Sequence, residues 1–308
     1  MAKKKVAILG SGVIGLTCAD VLQGDFDVTI ITKQRVPPTS RAAAAIWFPH
    51  AVEGPRVLEW ADATRKRLDE LMKHETETGL RLVDFTFLGK KNPPLRVPFL
   101  EYHAVAPPEG FTYANVIRVH LIDTSIYLPF LWKRVQELDV REIIVTRPML
   151  EDLAREFALI VNCTGYESKK LWRDTSLKPG RGVTLSIPRP EFDGACVYEE
   201  ELRTLMYVIP RTTDCILGGV EEEVERWTTD DEELTGIVAR CVAATKLPWP
   251  STKPEAYVGI RPKRNPVRLE QDPNDKKVVH CYGHGGAGFT VSWGCAEDLA
   301  SLVRDIVA

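Results

Sequence analysis

The sequence lacks several features that mark common protein classes. Its seven cysteines include no C-x-x-C pair, which argues against a zinc site or a disulfide framework and fits a reducing compartment. Forty Lys and Arg face forty-three Asp and Glu, so the basic excess of nucleic-acid-binding proteins is missing. No apolar run approaches the roughly 18 residues of a membrane span. What remains is a 308-residue chain with the composition of an ordinary globular protein, predicted to bind neither nucleic acid nor membrane.

The N-terminal segment predicts a dinucleotide-binding unit. Residues 4–9 form a short apolar run, GSGVIG follows directly, and after a helical pattern Val28 begins a second apolar strand. In such a unit Gly10 makes the tight turn, Gly12 lets the backbone approach a pyrophosphate, and Gly15 lets the helix pack on the strand. The N-terminus of that helix then stabilises the phosphate charge.

The end of the second strand leaves the type of dinucleotide open. An acidic residue usually binds the ribose at this point, but here Ile31 is followed by Thr32, Lys33, Gln34 and Arg35. A basic residue there would suit the phosphorylated ribose of NADP. Thr32 would equally serve an FAD site. These residues do not decide between the two cofactors.

A second glycine-rich loop, at 283–288, leads into a helical pattern over about 290–306. Two helix N-termini from opposite ends of the chain would then approach one cofactor. That arrangement favours a flavin, because two-electron reduction leaves an anionic ring that needs stabilising charge. His280 and His284 are four residues apart in a strand-loop context, a spacing that faces no common site, and no metal is predicted.

Seven segments of the sequence resemble the D-amino-acid oxidase family, which includes D-aspartate oxidase. The resemblance spans nearly the whole chain, and its last two segments are long and highly specific. The segments are VAILGSGVIGLTCA (6–19), AAAAIWFP (42–49), LIVNCTG (159–165), LKPGRG (177–182), YVIPRTTDCILGG (207–219), GIRPKRNPVRLE (259–270) and VVHCYGHGGAGFTVSWGCA (278–296).

Together with the strand-loop-helix units, the resemblance implies an α/β fold with a Rossmann-like FAD-binding domain plus a β-rich (α+β) substrate domain. The FAD-binding domain is predicted to be discontinuous and to comprise 1–50, 120–185 and 255–308. The substrate domain would comprise 51–119 and 186–254. Helices are predicted at 57–78, 124–138 and 229–246, strands at 143–145 and 158–165, and short β pieces within 80–115 and 183–220.

The resemblance also implies a substrate site. Arg261 would bind the substrate carboxylate through two parallel hydrogen bonds, and the Tyr207 hydroxyl would share that carboxylate. The carbonyl of Gly286 would hold the amine. Phe48 would form a wall of the pocket, and Arg203 stands where the family often has a second tyrosine on a lid. No side-chain acid or base is expected.

The cofactor implied by the resemblance is FAD. The residues predicted to contact it are Gly10, Ser11, Gly12, Val13, Ile14, Gly15, Thr32, Lys33, Ala43, Ala44, Ala45, Ile46, Arg147, Thr164, Gly165, Arg261, Gly283, Gly285, Gly286, Gly288, Phe289 and Thr290.

The implied reaction is the oxidative deamination of a D-amino acid. A hydride passes from Cα to flavin N5, water hydrolyses the imino acid to a 2-oxo acid and ammonia, and O₂ reoxidises the flavin to give H₂O₂. Neutral substrates are preferred if Ile46, Trp47 and Phe48 line the pocket, whereas Arg203 or Arg211 would favour D-aspartate or D-glutamate.

Other functions remain open from the sequence alone. A glycine or secondary-amine oxidase is the nearest alternative, and a non-catalytic NADP- or nucleotide-binding protein using Lys33 and Arg35 belongs to another class. The acidic runs 199–201 and 221–223 are predicted to be solvated faces. Family analogy suggests a homodimer. The terminal DIVA, which is not the peroxisomal S-K-L, predicts a cytoplasmic enzyme.

Overall fold

The structure, a computed structural model, describes residues 2–35, 38–91, 97–200 and 205–307. Within these ranges thirteen strands form one sheet, in the order β4-β5-β3-β9-β10-β11-β8-β12-β13-β7-β1-β2-β6. The strands are β1 (Lys5–Leu9), β2 (Asp27–Thr32), β3 (Leu80–Gly89), β4 (His103–Val105), β5 (Tyr113–Ile122), β6 (Asp139–Glu142), β7 (Leu159–Asn162), β8 (Lys178–Pro188), β9 (Ala195–Tyr198), β10 (Met206–Pro210), β11 (Asp214–Gly218), β12 (Glu255–Gln271) and β13 (Val278–His284).

One end of the sheet is parallel and the rest is mainly antiparallel. β13, β7, β1, β2 and β6 run parallel to one another, as expected for strands whose apolar residues are buried on both faces. β8 and β12 pair antiparallel and join this end to the strands that follow. The predicted combination of a Rossmann-like unit with β-rich material is confirmed, while the exact domain limits stay a prediction.

The described residues also include eight α-helices, which pack along both the parallel and the antiparallel parts of the sheet. They are α1 (Val13–Leu22), α2 (Pro38–Arg41), α3 (Val57–His74), α4 (Thr124–Arg134), α5 (Met149–Glu156), α6 (Ser168–Leu171), α7 (Asp231–Thr245) and α8 (Gly288–Val307). α8 packs against both α1 and α3, and its buried face includes Val291, Leu299 and Val303. Among the described residues, no helix combines the length and the apolar character needed to cross a bilayer.

Two of the local predictions were wrong. The segment 143–145 is not a strand, because β6 ends at Glu142 and the last backbone hydrogen bond to β2 runs from the N–H of Ile143 to the carbonyl oxygen of Thr32 at 2.8 Å. Ile144 is instead 64% exposed. The region 80–115 contains more than short pieces, since β3 pairs along its whole ten-residue length with β5.

Candidate functional site

A cavity of about 940 Å³ opens at the carboxyl ends of the parallel strands. Residues that directly follow β1, β2, β7 and β13 all border it, which is where open α/β sheets bind their ligands. Its volume lies at the upper end of the range for small-molecule and cofactor sites. The cavity therefore has the position and the size that a dinucleotide requires.

Most of the predicted cofactor residues meet on the wall of this cavity. Those that border it are Gly10, Ser11, Gly12, Val13, Ile14, Thr32, Lys33, Ala43, Ala44, Ala45, Ile46, Arg147, Thr164, Gly165, Arg261, Gly285, Gly286, Gly288, Phe289 and Thr290.

Two predicted contact residues lie behind the wall. A Cβ on Gly15 would stand 2.0 Å from the carbonyl oxygen of Gly10, so Gly15 permits the close packing of α1 on the loop. Gly283 has a φ of 94°, and a Cβ there would meet the Arg264 side chain at 2.8 Å. Both glycines shape the loops, and neither is among the residues that border the cavity.

The N-termini of α1 and α8 both border the cavity. α1 begins after Gly12 without a side-chain cap on that residue, and the hydroxyl of Ser40 accepts a hydrogen bond from the N–H of Val13 at 3.2 Å. α8 begins at Gly288, on the cavity wall. The positive ends of two helix dipoles suit a ligand that carries a pyrophosphate and an anionic ring. The residues present therefore fit FAD.

Thr32 stands where an acidic residue usually contacts the ribose. Its Oγ1 lies 2.8 Å from the hydroxyl of Ser11 and accepts a hydrogen bond from the Gln34 N–H at 3.3 Å. Lys33 is exposed beside it on the cavity wall. The hydroxyl pair formed by Ser11 and Thr32 is thus available to contact a ribose at the position where an acidic residue usually stands.

Arg261 and Tyr207 line the opposite end. The guanidinium of Arg261 donates to the carbonyl oxygens of Arg181 at 3.3 Å and Val220 at 3.4 Å, which orients it. Burial raises the pKa of Tyr207 to about 12, opposed by the nearby positive charge of Arg261. The hydroxyl therefore stays protonated and able to donate to an anion.

An apolar wall lies beside this pair. The ring centroid of Phe87 is 4.9 Å from that of Phe48 and 5.1 Å from that of Phe85, and all three side chains border the cavity. Val197 and Ile209 extend the same lining. This surface suits an apolar substrate side chain, because it offers no hydrogen-bond partner to a polar one.

A group of ionisable side chains at this end was not predicted from the sequence. His50 borders the cavity, with Nδ1 3.2 Å from a carboxylate oxygen of Glu199 and Nε2 3.7 Å from one of Glu221. Glu221 also forms an ion pair with Lys263. His50 and Lys263 hold the pKa of Glu221 well below its usual range, although burial acts in the opposite direction.

The prediction that the acidic runs 199–201 and 221–223 are solvated faces holds for Glu222 and Glu223, which are exposed, but fails for Glu221, and Glu201 lies outside the described residues. The side chain of Glu221 is only 8% exposed, and Glu222 forms an ion pair with the buried Arg181. Glu199 borders the cavity. The period of two along β9, which ends at Tyr198, could have indicated this if it is continued by one residue, since Glu199 stands two residues after Val197 and both border the cavity.

Three predictions about the pocket need correction or fall outside the structure. Trp47 is fully buried and donates its indole N–H to the Ala61 carbonyl at 3.2 Å, so it does not line the cavity. Arg211 is buried against Asp214, at 2.5 Å, and Thr124, and is unavailable to a substrate. Arg203 lies outside the described residues.

The contacts of the buried histidines and cysteines could not be predicted from their spacing in the sequence. His280 is hydrogen-bonded to Asp272 and Asn162, which occupies both of its ring nitrogens. The sulfur atoms of Cys18, Cys163 and Cys281, which are far apart in sequence, lie within 4.8 Å of one another and are buried. The expectation that the chain binds no metal stays a prediction.

Comparisons with known proteins agree with the cofactor that the cavity fits. Residues 5–104 and 130–302 match the family described as FAD dependent oxidoreductase. The chain is 33% identical to a D-amino-acid oxidase of Rubrobacter xylanophilus, covering 97% of this chain and 95% of that protein. It is 28% identical to human D-aspartate oxidase, over 100% and 96% of the two chains. A glycine oxidase structure from Bacillus cereus shares the fold, with a TM-score of 0.75 at 18% identity over 98% and 95% of the two chains.

Proposed function

The chain belongs to the D-amino-acid oxidase family of FAD-dependent oxidoreductases, and from that membership we propose that its cavity oxidises neutral D-amino acids. FAD is the cofactor, which sets aside the NADP alternative that Lys33 and Arg35 left open. The observation that carries the proposal is the meeting of Arg261, Tyr207 and an apolar wall in one cavity with both glycine loops.

Bound FAD supplies the acceptor for the hydride that leaves the substrate Cα. The protein's own part is to bind and orient the substrate. Arg261 would hold the carboxylate, because its planar guanidinium offers two parallel N–H donors. The Tyr207 hydroxyl would donate to the same group, and the Gly286 carbonyl would accept a hydrogen bond from the amine. With both polar groups fixed, only one enantiomer presents its Cα–H to the acceptor.

Two features support a preference for neutral side chains. The first is the apolar wall of Phe48, Phe85 and Phe87 beside the proposed carboxylate site. The second is the carboxylate of Glu199, which borders the cavity beside His50. This carboxylate would repel D-aspartate and D-glutamate, whose side chains carry the same charge.

The remaining aspects of the function are proposals that rest on the family. Release of the imino acid to water would give a 2-oxo acid and ammonia, and O₂ would accept the electrons to give H₂O₂. We also propose a cytoplasmic enzyme that assembles as a homodimer. Measurement of oxygen consumption together with peroxide formation tests the proposed reaction. Light scattering of the purified protein tests the proposed homodimer.

Substitution of Arg261 tests the substrate site. In Arg261→Leu we expect kcat/KM to fall on the order of 100-fold while FAD stays bound, since a charged carboxylate loses its partner. Arg261→Lys should recover only part of this, because a single ammonium cannot pair with both carboxylate oxygens. Arg118→Leu serves as the control, since Arg118 is an exposed arginine paired with Asp84 outside the cavity.

A series of substrates tests the proposed specificity, with the rate of peroxide formation as the measurement. The series comprises D-Val, D-Phe, D-Ala, D-Asp, D-Glu, glycine and sarcosine. We expect the neutral D-amino acids to give the highest kcat/KM. Faster turnover of glycine or sarcosine would support the secondary-amine alternative. An Arg261→Leu enzyme with unchanged kcat/KM would remove the proposed carboxylate site.

A further inference from the structure

A row of buried polar side chains lies behind the cavity wall, between β7, β13 and the end of β12. Asn162 and His280 are 0% exposed and Asp272 is 7% exposed. Asn162 and His280 are opposite each other in the parallel ladder of β7 and β13. We refer to Asp272, His280 and Asn162 as the polar relay. Buried polar groups of this kind are expensive unless each is hydrogen-bonded, so their partners define what they do.

The orientation of every group in the polar relay follows from one backbone N–H. Thr164 donates its N–H to Oδ1 of Asn162 at 3.1 Å, and a backbone N–H can only donate. The amide nitrogen of Asn162 must then face His280, where it donates to Nδ1 at 3.0 Å. His280 therefore carries its proton on Nε2 and donates it to Asp272 at 2.7 Å.

The pKa directions agree with this assignment. Burial lowers the pKa of His280, which keeps the imidazole neutral, although Asp272 acts in the opposite direction. The hydrogen bonds that Asp272 accepts hold its own pKa below the usual range against the effect of burial. A neutral imidazole between an amide donor and a carboxylate acceptor satisfies all three side chains.

The other end of the polar relay reaches the cavity. Oδ1 of Asn162 also accepts a hydrogen bond from the hydroxyl of Thr164 at 2.7 Å. Thr164 and Gly165 border the cavity. The same turn packs tightly on the first glycine loop, because a Cβ on Gly10 would stand 2.6 Å from the Cys163 carbonyl oxygen. A rotation of the Asn162 amide would therefore disturb both sides of the cavity wall.

We propose that Asp272, His280 and Asn162 are positioning residues for FAD: the polar relay locks the Asn162 amide so that it holds the Thr164 turn against the Gly10 loop. None of the three is among the residues that border the cavity, so their effect on the cofactor is exerted through Thr164. The inference rests on the proposed FAD site, which places Thr164 and Gly10 beside the cofactor.

Substitution of His280, compared with that of a second buried histidine, tests this role. His120 is 2% exposed and its Nε2 lies 2.9 Å from Asp69, but it does not border the cavity. Both His280→Leu and His120→Leu remove a buried imidazole from a carboxylate, so both should lower Tm. Only His280→Leu should raise the Kd for FAD, by at least about tenfold, measured by fluorescence titration of the FAD-free protein. Equal effects of the two variants on that Kd would overturn the proposal.

A conservative change separates positioning from simple packing. In His280→Asn the side-chain oxygen lies near the former Nδ1 and can accept from the Asn162 amide, so the Kd for FAD should return to within about threefold of wild type. Failure of this rescue also contradicts the proposal. If His280→Leu does not fold, Asn162→Asp and Asn162→Leu carry the test. The former keeps an acceptor for Thr164 and should retain FAD, and the latter should lose it.

Failure of this inference is distinguishable from failure of the FAD site itself. Gly12→Val places a branched side chain on the first glycine loop, at the cavity wall. If Gly12→Val leaves the Kd for FAD unchanged, the site is wrong and the inference falls with it. If Gly12→Val weakens FAD binding and His280→Leu does not, only the role of the polar relay is refuted.

Discussion

The guanidinium of Arg261 lies flat against the backbone of Gly182, on the neighbouring strand β8. A Cβ added to Gly182 would stand 2.6 Å from Nη1 and 2.7 Å from both Cζ and Nη2 of Arg261. Such distances are too short for non-bonded atoms, so no other residue at position 182 leaves the guanidinium where it is. The absence of a side chain at Gly182 thus leaves the room that the group proposed to bind the substrate carboxylate occupies.

The first prediction concerns Gly182→Ala. The new methyl group would displace the guanidinium, which is the end of a long and adaptable side chain, so the fold should tolerate it. We expect KM for a D-amino acid to rise about tenfold, since loss of ideal charge-assisted hydrogen bonding is worth ~1.5 kcal/mol. Steady-state kinetics and the visible spectrum of bound FAD measure the two effects separately.

Gly236→Ala provides the control for Gly182→Ala. Gly236 lies in α7 outside the cavity, and the nearest contact of an added Cβ would be 3.5 Å away, so KM should not change. An unchanged KM in Gly182→Ala as well would show that Arg261 reaches the substrate without this support.

The parts of the site that were predictable from sequence are those carried by local patterns. The spacing of Gly10, Gly12 and Gly15 and the dense loop before α8 require a strand on one side and a helix on the other, and the structure has both. The three-to-four spacing of apolar residues also predicted which face of α8 is buried. These features depend on neighbours in the chain, which a single sequence contains.

The missed features depend on partners that are distant in the chain. Glu221 can be buried because Lys263 compensates its charge and His50 contacts its carboxylate, and neither lies near it in sequence. Arg211 was expected to be available to a substrate until the fold placed Asp214 and Thr124 around it. Charge compensation in three dimensions decides whether a charged residue is a surface group or part of a site, and composition alone does not report it.

The second prediction concerns the carboxylate of Glu199. Replacing it by Gln removes one negative charge from the substrate end of the cavity, so kcat/KM for D-glutamate relative to D-valine should rise. We expect about fivefold, equivalent to ~1 kcal/mol, because a charge that is 36% exposed is partly screened. Glu199→Lys should have a larger effect in the same direction.

Glu167→Gln is the matched control for Glu199→Gln. Glu167 also borders the cavity, but it follows β7 on the side of Thr164 and Gly165. It should leave the ratio of the two kcat/KM values unchanged. An equal change in both variants would mean that the net charge of the cavity, and not the position of Glu199, controls selectivity.

The last prediction concerns acid stability and Glu221. His50 and Lys263 lower the pKa of Glu221 in the folded protein. At pH values between its pKa in the folded protein and its pKa in the unfolded chain, the unfolded chain therefore binds more protons. The stabilisation is therefore complete above the unfolded value of about 4.3 and is lost as the pH falls below it. In Glu221→Gln the free energy of unfolding should decline less steeply from pH ~5 to ~3, as measured by urea titration. Glu223→Gln is the control, because Glu223 lies in the same acidic run but its side chain is 58% exposed, so the free energy of unfolding should depend on pH as in the wild type. The same pH dependence in all three proteins would contradict the ion pairs of Glu221.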